Sequence, residues 1–65
     1  MKIKIRDLNI DDRVAFYTDS EQEKPYEGKV TELYYNFKGK EMAQIELDNA
    51  WYYNITDDDD WEVIY

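Results

Sequence analysis

Apolar and polar residues alternate along most of this chain, and helical spacing is weak everywhere. "KIKIR" (residues 2–6) sets Ile3 and Ile5 on one side and Lys2, Lys4 and Arg6 on the other, which predicts a first strand. "DLNIDD" (7–12) predicts a turn, with Leu8 and Ile10 as apolar anchors. "RVAFYT" (13–18) turns Val14 and Phe16 inward and Ala15 and Tyr17 outward, and "DSEQEKP" (19–25) is a polar loop ending in proline. "YEGKVTELYY" (26–35) is a long strand whose phase slips. Val30 and Leu33 are three residues apart, so they cannot share a face of a regular strand. A bulge within residues 29–33, near Thr31 and Glu32, would turn both inward, and Gly28 suits a bend or a close approach.

"NFKGK" (36–40) predicts a hairpin loop with Gly39 at positive φ. "EMAQIEL" (41–47) turns Ala43, Ile45 and Leu47 inward and Met42, Gln44 and Glu46 outward. After a turn at Asp48 and Asn49, "AWYYN" (50–54) is a short aromatic strand with Tyr52 opposite Trp51 and Tyr53. "ITDDDD" (55–60) is a turn and "WEVIY" (61–65) the last strand. The pattern predicts one all-β domain over residues 1–65, with Val14, Phe16, Val30, Leu33, Ala43, Ile45, Leu47 and Val63 largely buried.

"LNIDDRVAFYT", "YEGKVTELYY", "KEMAQIEL" and the short turn before the final strand resemble the SH3-like barrels, a superfamily that includes Tudor- and KOW-type modules. The resemblance runs from about Leu8 to Ile64 and lies in the pattern of strands and turns. It implies a five-stranded antiparallel barrel with a short 3₁₀ turn before the last strand. Asp11 or Asp12 stands where such folds often carry a turn glycine before "RV", and the "ALYDY" segment of peptide-binding SH3 domains is missing.

Composition narrows the chemistry. A chain of 65 residues buries only about 60% of its unfolded surface, so its core must be dense. Cysteine and histidine are both lacking, which removes disulfides and the usual zinc sites. Aromatic residues make up 17% of the chain and supply the bulk, with Trp51 and Trp61 expected in the core or on a strand face. No cofactor is expected. Catalysis is not expected either, since carboxylates acting alone need a cleft that holds two of them in different environments. No signal peptide or membrane-length apolar run is visible, so a soluble, cytoplasmic protein is expected.

Sixteen acidic residues face eight basic ones, a net charge of −8. Nucleic acid and anionic membranes should repel such a chain and a basic protein surface should attract it. The densest charge is Asp57, Asp58, Asp59 and Asp60, directly before Trp61. Folding accounts for part of the run: Thr56 can cap a turn, and acids suit the first residues of one. A calcium loop does not fit, because the sixth positions counted from Asp57 and Asp58 hold Glu62 and Val63 rather than glycine. In an extended strand Asp60 and Glu62 point the same way, about 6.6 Å apart. With Asp57, Asp58, Asp59, Glu46, Asp48, Trp51, Tyr52 and Tyr53 they form the candidate protein-binding set, which Glu21, Glu23, Glu27 and Glu41 would extend if the fold gathers them. The expected function is an acidic binding protein that occupies a basic, nucleic-acid-binding surface of another protein. Its comparison with phage- or mobile-element-encoded DNA mimics rests on charge and size. The alternative is an SH3-like or Tudor-like module that grips a peptide or a modified side chain through exposed aromatics.

Overall fold

Residues 3–64 are described by a computed structural model; Lys2 and Tyr65, expected on the first and last strands, lie outside the described residues. Alternation becomes five strands: β1 (Arg13–Tyr17), β2 (Tyr26–Tyr35), β3 (Glu41–Leu47), β4 (Tyr52–Thr56) and β5 (Asp60–Ile64). They pair antiparallel in one sheet of order β4-β3-β2-β1-β5. Among the described residues no helix is long and apolar enough to cross a membrane.

The two edge strands of this sheet, β4 and β5, are consecutive in the chain and are joined only by residues 57–59. The sheet must therefore curl until its edges approach. The Thr56 carbonyl accepts the Asp59 N–H at 3.1 Å and the Trp61 indole N–H at 3.0 Å, which pins the start of β5 to the end of β4. No ladder joins the two strands among the described residues, so the expected closed barrel is corrected to a curled, open sheet. Phe16 of β1 reaches Tyr53 of β4 with ring centroids 5.6 Å apart, although β2 and β3 lie between those strands. Tyr26 completes the triangle at 5.7 Å from Phe16 and 5.6 Å from Tyr53.

The slip in β2 is a bulge. Val30 pairs with Ile45 and Glu32 with Gln44, which leaves Thr31 as the extra residue. The Thr31 hydroxyl lies 3.2 Å from the Gln44 carbonyl, so the disrupted ladder keeps a donor. The bulge also falls where β2 loses its first neighbour. Asp11 and Asp12 trade hydrogen bonds with Val30 at 2.8 Å, and Asp11 then turns away with φ 77°, in the place of the turn glycine. Leu33 faces inward opposite Ala43 as expected, yet it is 37% exposed rather than buried. An open hollow of about 220 Å³, bounded by Ile5, Arg6, Tyr35 and Met42, lies over it.

Other expectations need correction. Residues 3–6 of "KIKIR" form no strand: Ile5–Asp7 is the 3₁₀ turn, and it sits near the N-terminus instead of before β5. Its backbone is satisfied without a neighbouring strand. The Lys4 N–H donates to the Asp7 carboxylate at 3.0 Å, the Asp7 N–H to the Lys4 carbonyl at 2.8 Å, and the Leu8 N–H to the Ile5 carbonyl at 3.0 Å. Ile5 and Leu8, three apart, thus enter the core together while Ile3 and Ile10 stay exposed. Ile55, expected in a turn, is buried in β4, because that strand begins two residues later than its alternation suggests. Val63 is only partly buried against the core, and Trp51 is outside it.

Two backbone positions yield tests of the fold. A Cβ on Gly28 would lie 2.3 Å from the Glu46 carbonyl oxygen and 2.8 Å from Ile45 Cγ2, so Gly28→Ala must push β3 away from β2. We expect it to cost at least about 2 kcal/mol in a denaturant titration. Ala50 has φ 69° and ends the three residues (48–50) enclosed by the Leu47–Trp51 backbone pair, with its N–H on the Leu47 carbonyl at 2.9 Å. This is the position that such loops usually give to glycine. Ala50→Gly should raise the unfolding free energy by about 0.5–1 kcal/mol, read as a higher denaturation midpoint with an unchanged slope.

Candidate protein-binding face

The four aspartates have different surroundings. Asp57 reaches across the fold: its carboxylate accepts the partly buried Ile5 N–H at 2.7 Å and anchors the 3₁₀ turn. Asp59 folds back on its own turn and accepts the Thr56 N–H at 2.8 Å. Thr56 caps as expected, its hydroxyl accepting the Asp58 N–H at 3.2 Å. The Asp58 carboxylate pairs with the Lys40 ammonium from the β2–β3 loop. This contact, followed by the attraction of the neighbouring aspartates, holds the Lys40 ammonium above the usual lysine range. Whatever the raised group adds to stability is therefore present at neutral pH and lost only in strong base. The pair is exposed and adds little. Asp60 begins β5 opposite Tyr17 and is exposed. Folding thus uses Asp59, which a simple cap did not require, and leaves Asp60.

The sheet register shows where the free acids gather. Glu62 and Glu27 both pair with Ala15, one from each side. They flank it on the outer face at two strand spacings, about 9.5 Å. Asp60 lies two residues before Glu62 on the same face. Ala15 itself is buried, a small floor between longer side chains. Among the described residues, Glu27, Asp60 and Glu62 have no ion pair. Tyr17 stands beside Asp60 on this face. Glu27 is thus an extending acid that the fold adds to β5. Glu41 instead approaches Arg6 at 3.9 Å.

The remaining candidates form a separate group around the β3–β4 loop. Asp48 meets Arg13 at 3.4 Å. Tyr52, 54% exposed, donates its hydroxyl proton to Glu46 at 2.8 Å, and that carboxylate keeps the phenol protonated beyond its usual range. Trp51 is 68% exposed. Tyr53 points inward into the ring triangle and offers no outer contact. The row Tyr52, Glu46, Lys29, Arg13, Ile64 crosses the sheet and puts Lys29 and Arg13 between the two groups. Lys29 and Arg13 therefore interrupt the acidic field. Sequence reasoning missed Phe37, which is 94% exposed at the β2–β3 loop tip with the Lys38 ammonium 5.6 Å from its ring centroid. Among the described residues no three acidic side chains converge as metal ligands.

Compared with protein families, with curated proteins and with solved structures, the chain matches none.

The division of the aspartates is measurable. Asp57→Ala should cost about 1.5–3 kcal/mol, since it strips a charged acceptor from a partly buried N–H. The Ile5 amide should then exchange faster. Asp60→Ala should stay within about 0.5 kcal/mol of the parent. Equal losses at both positions would remove the distinction.

Proposed function

We propose that this chain is a small acidic binding protein that docks on a basic surface of another protein, of the kind that otherwise holds nucleic acid. The observation that carries it is the trio Glu27, Asp60 and Glu62, placed around Ala15 with no ion pair among the described residues. Carboxylates with intrachain partners serve folding. These three add repulsion to a chain of net charge −8 and have no ion pair that offsets it among the described residues. A row of cations on a partner would offset that repulsion, and complementary charge speeds encounter. We also read the fold as SH3-like: the order β4-β3-β2-β1-β5 with a three-residue step between the edge strands supports that architecture.

The aromatic alternative has its own support in Trp51 and Tyr52, consecutive in the chain and both exposed, with Glu46 on the Tyr52 hydroxyl. An acid beside an exposed ring, with a second exposed ring one residue away, suits a methylated lysine or arginine. The inward turn of Tyr53 leaves this cage a wall short.

The test is the charge-neutral variant Glu27→Gln/Asp60→Asn/Glu62→Gln. We expect unchanged or slightly raised thermal stability. Its association with a basic partner captured at low salt should be at least about tenfold slower, with a shallower salt dependence. A duplex oligonucleotide should compete for the same partner. Undiminished binding by this variant, combined with loss in Trp51→Ala, would transfer the function to the aromatic pair.

A further inference from the structure

We propose that the outer edge of β4 is a docking strand that takes an extended, lysine- or arginine-bearing segment of a partner protein as a sixth strand. Its flanking residues fix which backbone groups face outward. The Trp51 carbonyl accepts from the Leu47 N–H of β3 at 2.7 Å, whereas the Thr56 N–H and carbonyl turn away from β3 to Asp59 and Trp61. Alternation then directs the polar groups of Tyr53 and Ile55 to β3 and those of Tyr52 and Asn54 outward. Among the described residues no backbone hydrogen bond meets the outward groups of Tyr52 and Asn54.

Small proteins usually protect such an edge with charge, proline or a bulge. The other edge follows that rule, since β5 carries Asp60 and Glu62. β4 does not. Its sequence YYNIT has no charge and no proline, and its register with β3 runs unshifted from Tyr52 to Thr56. An added strand would find paired donors and acceptors two residues apart, the spacing that strand addition uses.

The occupant's chemistry follows from what lies beside the edge. A hollow of about 240 Å³ is lined by Tyr53, Asn54 and Ile55 of β4 together with Phe16, Tyr17, Thr18 and Asp59. Tyr17 and Thr18 also line a larger hollow, about 450 Å³, with Asp19 and Asp60. The two hollows together present three aspartates and no lysine or arginine. A second copy of the chain would bring the same aspartates and a net charge of −8 against them. A basic segment would bring their counterions. Only the charge of the occupant rests on the proposed basic partner; the open edge stands without it.

The test uses the whole chain and a heptapeptide that alternates lysine and valine, with a glutamate–valine peptide as control. We expect the lysine peptide to slow amide exchange at Tyr52 and Asn54. Asn54→Pro removes an outward N–H and the exposed side-chain acceptor of the Tyr34 hydroxyl at 2.6 Å but no ladder bond, as edge strands allow. It should weaken the peptide by about tenfold or more while the other amide signals stay in place. Should this variant fail to fold, the exchange pattern of the parent chain decides. Amide changes confined to Glu27, Asp60 and Glu62, with Tyr52 and Asn54 unprotected, would overturn the docking strand and leave the acidic face standing. Equal binding of the glutamate peptide would overturn the charge of the occupant. A concentration-dependent dimer in the absence of peptide, dissociated by Asn54→Pro, would make a second copy the occupant and overturn the proposal.

Discussion

The contact between Phe16 and Tyr53 is what the rest of the molecule depends on. In sheet order β1 and β4 are separated by two strands, so a flat sheet would hold these rings far apart. Their approach to 5.6 Å exists only because the sheet curls, and it rewards the curl with a buried ring contact. Without cysteine, the chain has no covalent clasp for its open seam. Tyr26 stacks on Tyr53 at 21° and tilts against Phe16, so three strands meet at one aromatic centre. Val14, Val30, Ala43, Ile45 and Ile55 fill the space that the curl encloses.

Curling at this radius requires β2 to change neighbours along its length. Its first half serves β1 and its second half serves β3 alone. Thr31 marks the change. An unpaired residue there increases the local twist, and its hydroxyl keeps Gln44 bonded. Gly28 works at the other end, where β3 passes too close for any side chain. The bend therefore comes from two backbone devices on one strand rather than from loop length. It is also why the connection from β4 to β5 can be as short as residues 57–59.

Alternation with one buried face is legible in sequence. β2 and β3 occupy the residues that their patterns indicate, and the bulge follows from the three-residue gap between Val30 and Leu33. What sequence does not carry is the identity of distant backbone partners. "KIKIR" alternates as a strand does, but the Ile5 N–H finds an acceptor 52 residues away and the segment turns. Leu33 satisfies the register and still lies under open space, because burial depends on what covers a position as well as on which face it takes. Ala50 hides its left-handed conformation behind a residue type that seldom adopts it, so "AWYYN" reads as a strand from its first residue. Within the candidate site, the shared face of Asp60 and Glu62 is legible from spacing alone. The employment of Asp57 and Asp59 is not, since it depends on which N–H groups the fold leaves unpaired nearby.

Four adjacent carboxylates need not mean one purpose. Crowding them costs repulsion, but a backbone N–H accepted by Asp57 and another by Asp59 lower the local cost, and Lys40 lies against Asp58. That arrangement leaves the turn fixed in direction, and β5 starts from it with Asp60 and Glu62 already committed to the outer face. Ala15 between Glu62 and Glu27 keeps the face shallow; a larger residue there would stand among the carboxylates and shield them. The acidic segment thus divides at the first residue of β5, between carboxylates that have partners in the fold and Asp60, which has no ion pair among the described residues. The residues before it hold the seam of the sheet closed enough to have a core. Asp60 and Glu62 follow onto the outer face, beside Tyr17 and Ala15.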